Sequence, residues 1–373
     1  MSDLTYDVTG PADAPVLVMG SSLGTTTHMW NPQLPELSRY FRVIRYNHPG
    51  HGGSAEPPGP YTMDTLADLV LGLLDELGVE RFHYAGLSLG GMIGMTIASR
   101  EPARVDRLAL VCTSAHMAPP EQWLDRAATV RAHGTAVTVD AAMGRWFTPA
   151  FTDRAPYARM LSSISAEGYA SCCEAIAAMD LRPVLAKITA NTMVVSGLDD
   201  PSTPPAHGRV IADSVRDARF EVVTGAAHLA NVEQPAKVTT LLLHHLLGDP
   251  YTAGMRVRRA VLGDAHVDRA TAAADDFTAD FQEILTRFAW GSVWTRPGLD
   301  RKTRSCVTLA MLATLGHHNE LAMHVRAALR NGLTRHEIRE VLLQVGVYAG
   351  IPAANSAFAV ARRVLDEDDG VPA

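Results

Sequence analysis

Hydrophobic and polar positions give this chain two textures. Up to about residue 115, short runs rich in β-branched and aromatic residues alternate with helix-period segments. The runs are Val16–Met19, Phe41–Tyr46, Phe82–Ala85 and Arg107–Cys112, the signature of a parallel sheet covered by helices. Two more strand-like runs, Thr192–Ser196 and Phe220–Val223, follow a long stretch, Pro119–Leu185, of helical composition without strand signal. This order predicts a helical lid over about 119–185 inserted into one sheet domain. After Leu247, GDPYTAGM carries Gly, Pro and Asp punctuation, which predicts a linker at 249–255. Beyond it the pattern is helical throughout: Thr271–Ala289, Arg301–Leu315, Glu320–Arg330, Arg335–Tyr348 and Ala353–Leu365. Thr334 followed by Glu337 fits a capping box. The expected organisation is a mostly parallel α/β domain over 1–248 and an all-α domain over 256–373.

Composition narrows the class. With 373 residues, 47% hydrophobic and 20% charged, the chain can bury two cores, and disordered, collagen-like and fibrous classes are excluded. No apolar run approaches the roughly 18 residues that span a bilayer, and MSDLTYDVTG lacks a signal-peptide pattern, so a cytosolic protein without membrane contact is expected. Cys112, Cys172, Cys173 and Cys306 show neither C-x-x-C spacing nor a disulfide framework and read as reduced, structural thiols. Residues 1–250 carry 18 basic against 26 acidic side chains and 251–373 carry 15 against 14, so no nucleic-acid partner is expected. The acidic run Asp366–Asp369 reads as a solvated tail.

The first chemistry follows the Phe82–Ala85 strand. Gly86-Leu87-Ser88-Leu89-Gly90-Gly91 is a G-x-S-x-G sequence leading into the helical run Met92–Arg100. Strand, turn and helix together predict a nucleophile elbow, whose serine takes a strained positive φ and whose flanking glycines leave room for neighbouring backbone. A serine nucleophile needs a base oriented by an acid, in the chain order Ser, acid, His. His228 follows the Phe220–Val223 strand, and Asp199 and Asp200 follow the Thr192–Ser196 strand, with Asp200 preferred by position. The oxyanion that forms needs two N–H donors. Leu89 supplies one, and the loop Gly20-Ser21-Ser22-Leu23-Gly24 the other, through the Ser22 amide.

These residues resemble the α/β-hydrolase superfamily over 1 to about 248, in NHPGHGGS (47–54), the elbow, GLDDPSTPP (197–205) and GAAHLANVEQP (225–235). Within it, SSLGTTTHMW (21–30) and RWFTPAF (145–151) look like the 3-oxoadipate enol-lactonases, with Gly20-Ser21 in place of the usual His-Gly. Arg145, beside Trp146, is a candidate for binding a substrate carboxylate bidentately, or an ordinary lid surface residue. His48 and His51 lie in a tight turn and read as structural.

In the C-terminal part, Glu320 and His324 lie four apart at a helix start and share one face. By spacing alone the pair is a common solvated motif, and no third ligand suggests a metal. Residues 294–358, from WTRPGLDRKTRSCVTL to GIPAANSAF, closely resemble 4-carboxymuconolactone decarboxylase, with the match covering most of 256–365. Related alkylhydroperoxidase-like proteins carry a redox C-x-x-C before the corresponding histidine, whereas no cysteine lies beyond Cys306 here. The resemblance implies a catalytic role for His324 with Glu320 beside it, and Arg304 and Arg326 as carboxylate or enolate contacts or plain surface residues. It implies no cofactor, because the carbanion left by CO₂ conjugates with the lactone carbonyl.

Together the resemblances imply a fused enzyme of protocatechuate catabolism in the β-ketoadipate pathway, acting on small lactone carboxylates and assembling as a homo-oligomer through the C-terminal helices. The competing readings are a serine esterase with a non-catalytic helical assembly domain, and a peroxide-handling protein relying on Cys306.

Overall fold

The computed structural model describes residues 3–369 and divides into two compact units, one ending at Leu246 and one beginning at Leu247. In the first unit seven strands form one sheet: β1 (Tyr6–Thr9), β2 (Val16–Gly20), β3 (Arg42–Tyr46), β4 (Phe82–Leu87), β5 (Val105–Val111), β6 (Asn191–Gly197) and β7 (Arg219–Val223). Their spatial order is β1-β3-β2-β4-β5-β6-β7, with β1 antiparallel to β3 and every other pairing parallel. The central strands read as continuous apolar runs because both faces are covered. Val18, Met19, Tyr84, Ala85, Leu108, Ala109, Met193 and Val195 are all buried.

The six predicted strands are present, each shifted by at most two residues at an end. The seventh, β1, carries no strong sequence signal. It is a four-residue edge strand whose Tyr6 and Val8 stay exposed, so it displays no buried face for a pattern to register. Between β5 and β6 lie helices Glu121–His133, Val139–Trp146, Ala155–Ser162 and Ala166–Ala178, with no strand among them.

The second unit is helical among its described residues. Residues 249–255, expected as a linker, instead open a helix over Pro250–Leu262. The Asp249 side chain accepts from the Thr252 N–H and Pro250 occupies the first turn, so the Gly/Pro punctuation marks a helix start. The single helix expected over 271–289 is also broken. One helix ends at Ala272, Asp275 and Thr278 cap each other's backbone, and a new helix runs over Ala279–Ile284 into a π-helix at Leu285–Val293. Helices Arg301–Leu315, His318–Arg330, Arg335–Tyr348 and Ile351–Asp369 follow, and Thr334 with Glu337 forms the expected capping box. Leu309, Leu321, Val325, Ile338, Leu342 and Ala357 make their shared core. Among the described residues no helix is long and apolar enough to cross a membrane.

Candidate active sites

Ser88 sits between β4 and the helix Leu89–Arg100 with φ 54° and ψ −114°, a conformation that non-glycine residues rarely adopt. Several contacts hold it there. Its N–H donates to the Val111 carbonyl (3.0 Å), and its own carbonyl accepts from Thr113 Oγ1 (2.7 Å) and the Met92 N–H (3.0 Å). The two elbow glycines are required by close approach: a Cβ on Gly86 would lie 2.3 Å from the Gly90 carbonyl oxygen, and one on Gly90 would lie 2.3 Å from the Gly20 carbonyl. The Gly90 N–H in turn donates to the Ser21 carbonyl (2.9 Å), which fastens the elbow to the loop after β2.

At the ends of β6 and β7 the carboxylate and imidazole meet. His228 Nδ1 lies 2.8 Å from Asp200 Oδ2, and both residues are buried. Asp200 also accepts from the Ser202 N–H (2.8 Å), the Thr203 N–H (3.0 Å) and Thr203 Oγ1 (2.8 Å). Burial alone would raise the Asp200 carboxyl, but His228 and the two Thr203 donors outweigh it and hold the group at about 2. A carboxylate that stays ionised beside Nδ1 keeps the proton on that nitrogen and leaves Nε2 free to accept. Asp199 does not share this arrangement: it is exposed, and its N–H is spent on the Ala226 carbonyl (3.0 Å).

The loop after β2 departs from expectation at one atom. The Ser22 N–H points at Met29 Sδ (3.2 Å), because the 3₁₀ turn Thr27–Trp30 folds that thioether back over the loop. His48 and His51 are both wired to this loop. His48 Nε2 lies 2.7 Å from the Ser21 carbonyl, and His51 Nε2 accepts the Gly24 N–H (3.1 Å) while its Nδ1 donates to the Pro49 carbonyl (2.8 Å). Burial lowers the two rings to about 4 and about 3, so both are neutral scaffold.

The lid reaches this loop through Trp146, Leu161 and Tyr169, which crowd Gly24, and the Trp146 carbonyl accepts the Leu229 N–H (3.0 Å) next to His228. Arg145 is half-buried and has no acidic partner among the described residues. Burial, then Arg126, lowers its guanidinium, so a bound anion would relieve an unfavourable charge.

Sequence reasoning missed Glu233. One oxygen accepts the Thr148 N–H (2.9 Å) and Oγ1 (2.7 Å), and the other accepts the Ala227 N–H (2.6 Å), so a single carboxylate ties the lid to the turn that carries His228. Its only sequence signal is its place five residues after His228. Glu233→Gln keeps the size but loses one acceptor and the charge-assisted bonds, and the expected result is a roughly tenfold fall in kcat for hydrolysis with the fold retained. Steady-state kinetics together with a melting curve check this, and unchanged kcat would remove Glu233 from the positioning machinery.

In the second unit, His324 leans inward against Trp294, with ring centroids 6.5 Å apart and planes 24° from parallel. Trp290 packs behind it, 5.1 Å from Trp294. Burial, then His266, lowers His324 to about 4, so the resting imidazole is neutral near pH 7, and its buried Nδ1 has no partner among the described residues. Among the described residues Glu320 makes no hydrogen bond to the ring either. Glu320 lies in the exposed first turn of helix His318–Arg330, and the aromatic neighbour of the ring is Trp294. Arg304 is turned to main-chain carbonyls of Leu299 (3.1 Å) and Arg296 (2.7 Å), and Arg326 is exposed and pairs with Glu367. All four cysteines are free; Cys112, Cys172 and Cys173 are buried and Cys306 partly so.

The chain belongs to the alpha/beta hydrolase fold family, which matches residues 15–235, and carries a carboxymuconolactone decarboxylase family domain at residues 279–363. It is thus a fusion of two enzyme families. The first unit is similar to 3-oxoadipate enol-lactonase 2 of Acinetobacter baylyi, 38% identical over 237 residues that cover 62% of this chain and 88% of the relative. The second is similar to 4-carboxymuconolactone decarboxylase of the same organism, 49% identical over 117 residues, 31% of this chain and 87% of the relative. Among solved structures, the enol-lactonase of Burkholderia xenovorans is 39% identical, with a TM-score of 0.64 over 66% of this chain and 96% of that one.

Proposed function

We propose that the second unit decarboxylates 4-carboxymuconolactone to 3-oxoadipate enol-lactone and CO₂, and that the first unit hydrolyses the enol-lactone to 3-oxoadipate. The observation that carries the hydrolytic half is the buried Asp200–His228 pair at the strand ends, in a unit whose elbow serine is held at positive φ. Ser88 Oγ attacks the lactone carbonyl while His228 Nε2 takes its proton. The oxyanion is met by the Leu89 N–H at the head of the helix and by the Ser22 N–H, whose present thioether partner is a weak acceptor that an anion displaces. Collapse breaks the ring C–O bond, and the enol that leaves becomes a ketone within the same acyl-enzyme. Water activated by His228 then frees the acid. Arg145 supplies the charge for the substrate carboxylate, with Trp146 as a lid wall.

In the other half the C–C bond to the ring carboxylate breaks, CO₂ departs, and the electron pair passes into the conjugated lactone as an enolate. His324 is the proton donor to the ring. It rests neutral, and the negative charge of a bound dicarboxylate favours its protonated form, so the substrate itself loads the proton. Glu320 contributes negative charge near the ring, without a bond to it. The test of the whole reading is to supply 4-carboxymuconolactone to the full chain and follow CO₂, enol-lactone and 3-oxoadipate together. Ester hydrolysis without any consumption of this lactone would favour the esterase-plus-assembly reading.

We also infer that copies of the chain assemble through the second unit. Phe277 is 93% exposed, Tyr348 82% and Val347 76%, and Phe281, Ile284 and Phe288 form a further exposed apolar run at helical spacing. Patches of this kind mark interfaces, and a second copy supplies the same apolar chemistry. Sedimentation should give a mass that is a multiple of 40.1 kDa, reduced by Phe281→Asp with Tyr348→Asp. A monomeric wild type would contradict the inference.

A further inference from the structure

We propose that a cationic cavity in the second unit, lined by His266, Arg269, Arg326 and Arg330, is the subsite for the carboxylate that decarboxylation leaves on the product. The proposal rests on the decarboxylase reading and deepens it by assigning the two carboxylates of the substrate to different surroundings.

The cavity, of about 530 Å³, opens between the end of helix Pro250–Leu262, the first turn of helix Asp264–Ala272 and one face of helix His318–Arg330. Its single acidic wall residue, Asp264, is turned toward Arg259 (3.1 Å). Arg330 is held in place: Nη1 donates to the Val261 carbonyl (3.1 Å), and the guanidinium lies against Gly263, where φ is +87° and a Cβ would sit 3.1 Å from Cζ. Neither Arg269 nor Arg330 has an acidic partner among the described residues, whereas Arg326 already holds a carboxylate, that of Glu367. The first turn of helix Asp264–Ala272 lines the same cavity, so the positive end of that helix adds to the charge there. Arginines 258, 269 and 330 all bear on His266, which burial and this surrounding charge keep neutral. The pocket is thus short of negative charge.

The cavity also adjoins the reacting end. Met323, which lines it, precedes His324 and belongs to the same apolar cluster as Trp290 and Trp294, and His266 acts electrostatically on His324. The substrate is a dianion with one carboxylate on the ring carbon and one on a side arm. The ring carboxylate must lose its charge to become CO₂. A guanidinium on it would stabilise the ground state more than the transition state and slow the step. The side-arm carboxylate keeps its charge from substrate to product, so cations there bind and orient the ring without opposing the reaction. The arginines therefore belong to the retained carboxylate, and the aromatic wall of Trp290 and Trp294 beside His324 belongs to the departing one.

The test uses the full chain carrying Arg269→Gln with Arg330→Gln, with Arg304→Gln as control and a melting curve of the second unit's transition as the folding check. The double variant is expected to raise KM for 4-carboxymuconolactone roughly 10- to 100-fold with a smaller change in kcat, and Arg304→Gln to change neither. The side-arm methyl ester should be a poor substrate for the wild type and should suffer no further loss in the variant. Unchanged KM, or an equal loss on acid and ester, overturns the proposal. Calorimetric titration with glutarate separates it from the reading beneath it. A wild type that binds glutarate, loses that binding in the double variant, yet releases no CO₂ from the lactone keeps the carboxylate site and rejects the decarboxylase assignment. A wild type that decarboxylates but binds glutarate no better than the variant keeps the enzyme and rejects the site.

Discussion

Replacing Ser88 by alanine is expected to lower enol-lactone hydrolysis by a factor on the order of 10⁴ to 10⁶ while leaving CO₂ release from 4-carboxymuconolactone at the wild-type rate. The substitution removes one hydroxyl and nothing else: serine and alanine both carry a Cβ, so the positive φ at this position costs the variant what it costs the wild type. The bonds that shape the elbow run through the backbone of residue 88 and survive. On the proposed mechanism what disappears is the nucleophile, leaving His228 and the oxyanion donors only bound water to act on. The product mixture should shift from 3-oxoadipate to accumulated enol-lactone. Asp200→Asn should cost about 10⁴-fold, because an amide in place of the carboxylate opposes the imidazole tautomer and removes the charge that favours the imidazolium. Asp199→Asn, at an exposed position, should leave the rate unchanged within about twofold. Equal losses from the two aspartates would contradict the assignment of Asp200.

The second large effect is expected at His324. His324→Ala should reduce decarboxylation by roughly 10²- to 10⁴-fold, the range by which a positioned proton donor accelerates a reaction, with hydrolysis of supplied enol-lactone retained. Among the described residues the buried Nδ1 has no hydrogen-bond partner to lose, so the variant should keep its fold. A cavity beside Trp294 costs stability by the volume left empty, and a melting curve measures that separately. His324→Gln, which restores a donor without a titrating proton, should recover part of the enolate stabilisation and none of the proton delivery. Glu320→Gln should have a far smaller effect than either, since it reaches the ring only through its field. Unchanged CO₂ release in His324→Ala would remove the catalytic role and leave the helical unit to assembly.

What the sequence made legible was local. The five inner strands announce themselves because burial on both faces demands runs such as Val16–Met19, and the elbow announces itself because only glycine fits at positions 86 and 90. The capping box at Thr334 and Glu337 is likewise complete within four residues. The features that were not legible depend on what arrives from elsewhere in the chain. Strand β1 exists because β3 offers it an edge. Glu233 matters because Thr148, 85 residues away, is brought to it. His324 meets the Trp294 ring and feels the electrostatic influence of His266, both from earlier in the chain, where helical spacing points to Glu320. The Ser22 amide illustrates the same limit: its place in the loop was readable, but the Met29 thioether against it depends on the turn that follows. The misplaced linker had a different cause, since Asp249-Pro250 carries the same residues whether it breaks a chain or starts a helix.

The most direct test of two chemistries residing in two units is complementation. Ser88→Ala chain and His324→Ala chain, each purified, are supplied with 4-carboxymuconolactone separately and then mixed in equal amounts, with CO₂ and 3-oxoadipate followed in each case. The expected result is CO₂ with accumulated enol-lactone from the first alone, almost no turnover from the second alone, and recovery of 3-oxoadipate in the mixture. A mixture that yields no more 3-oxoadipate than the sum of its parts, or a single variant that completes both steps, would contradict the division of labour.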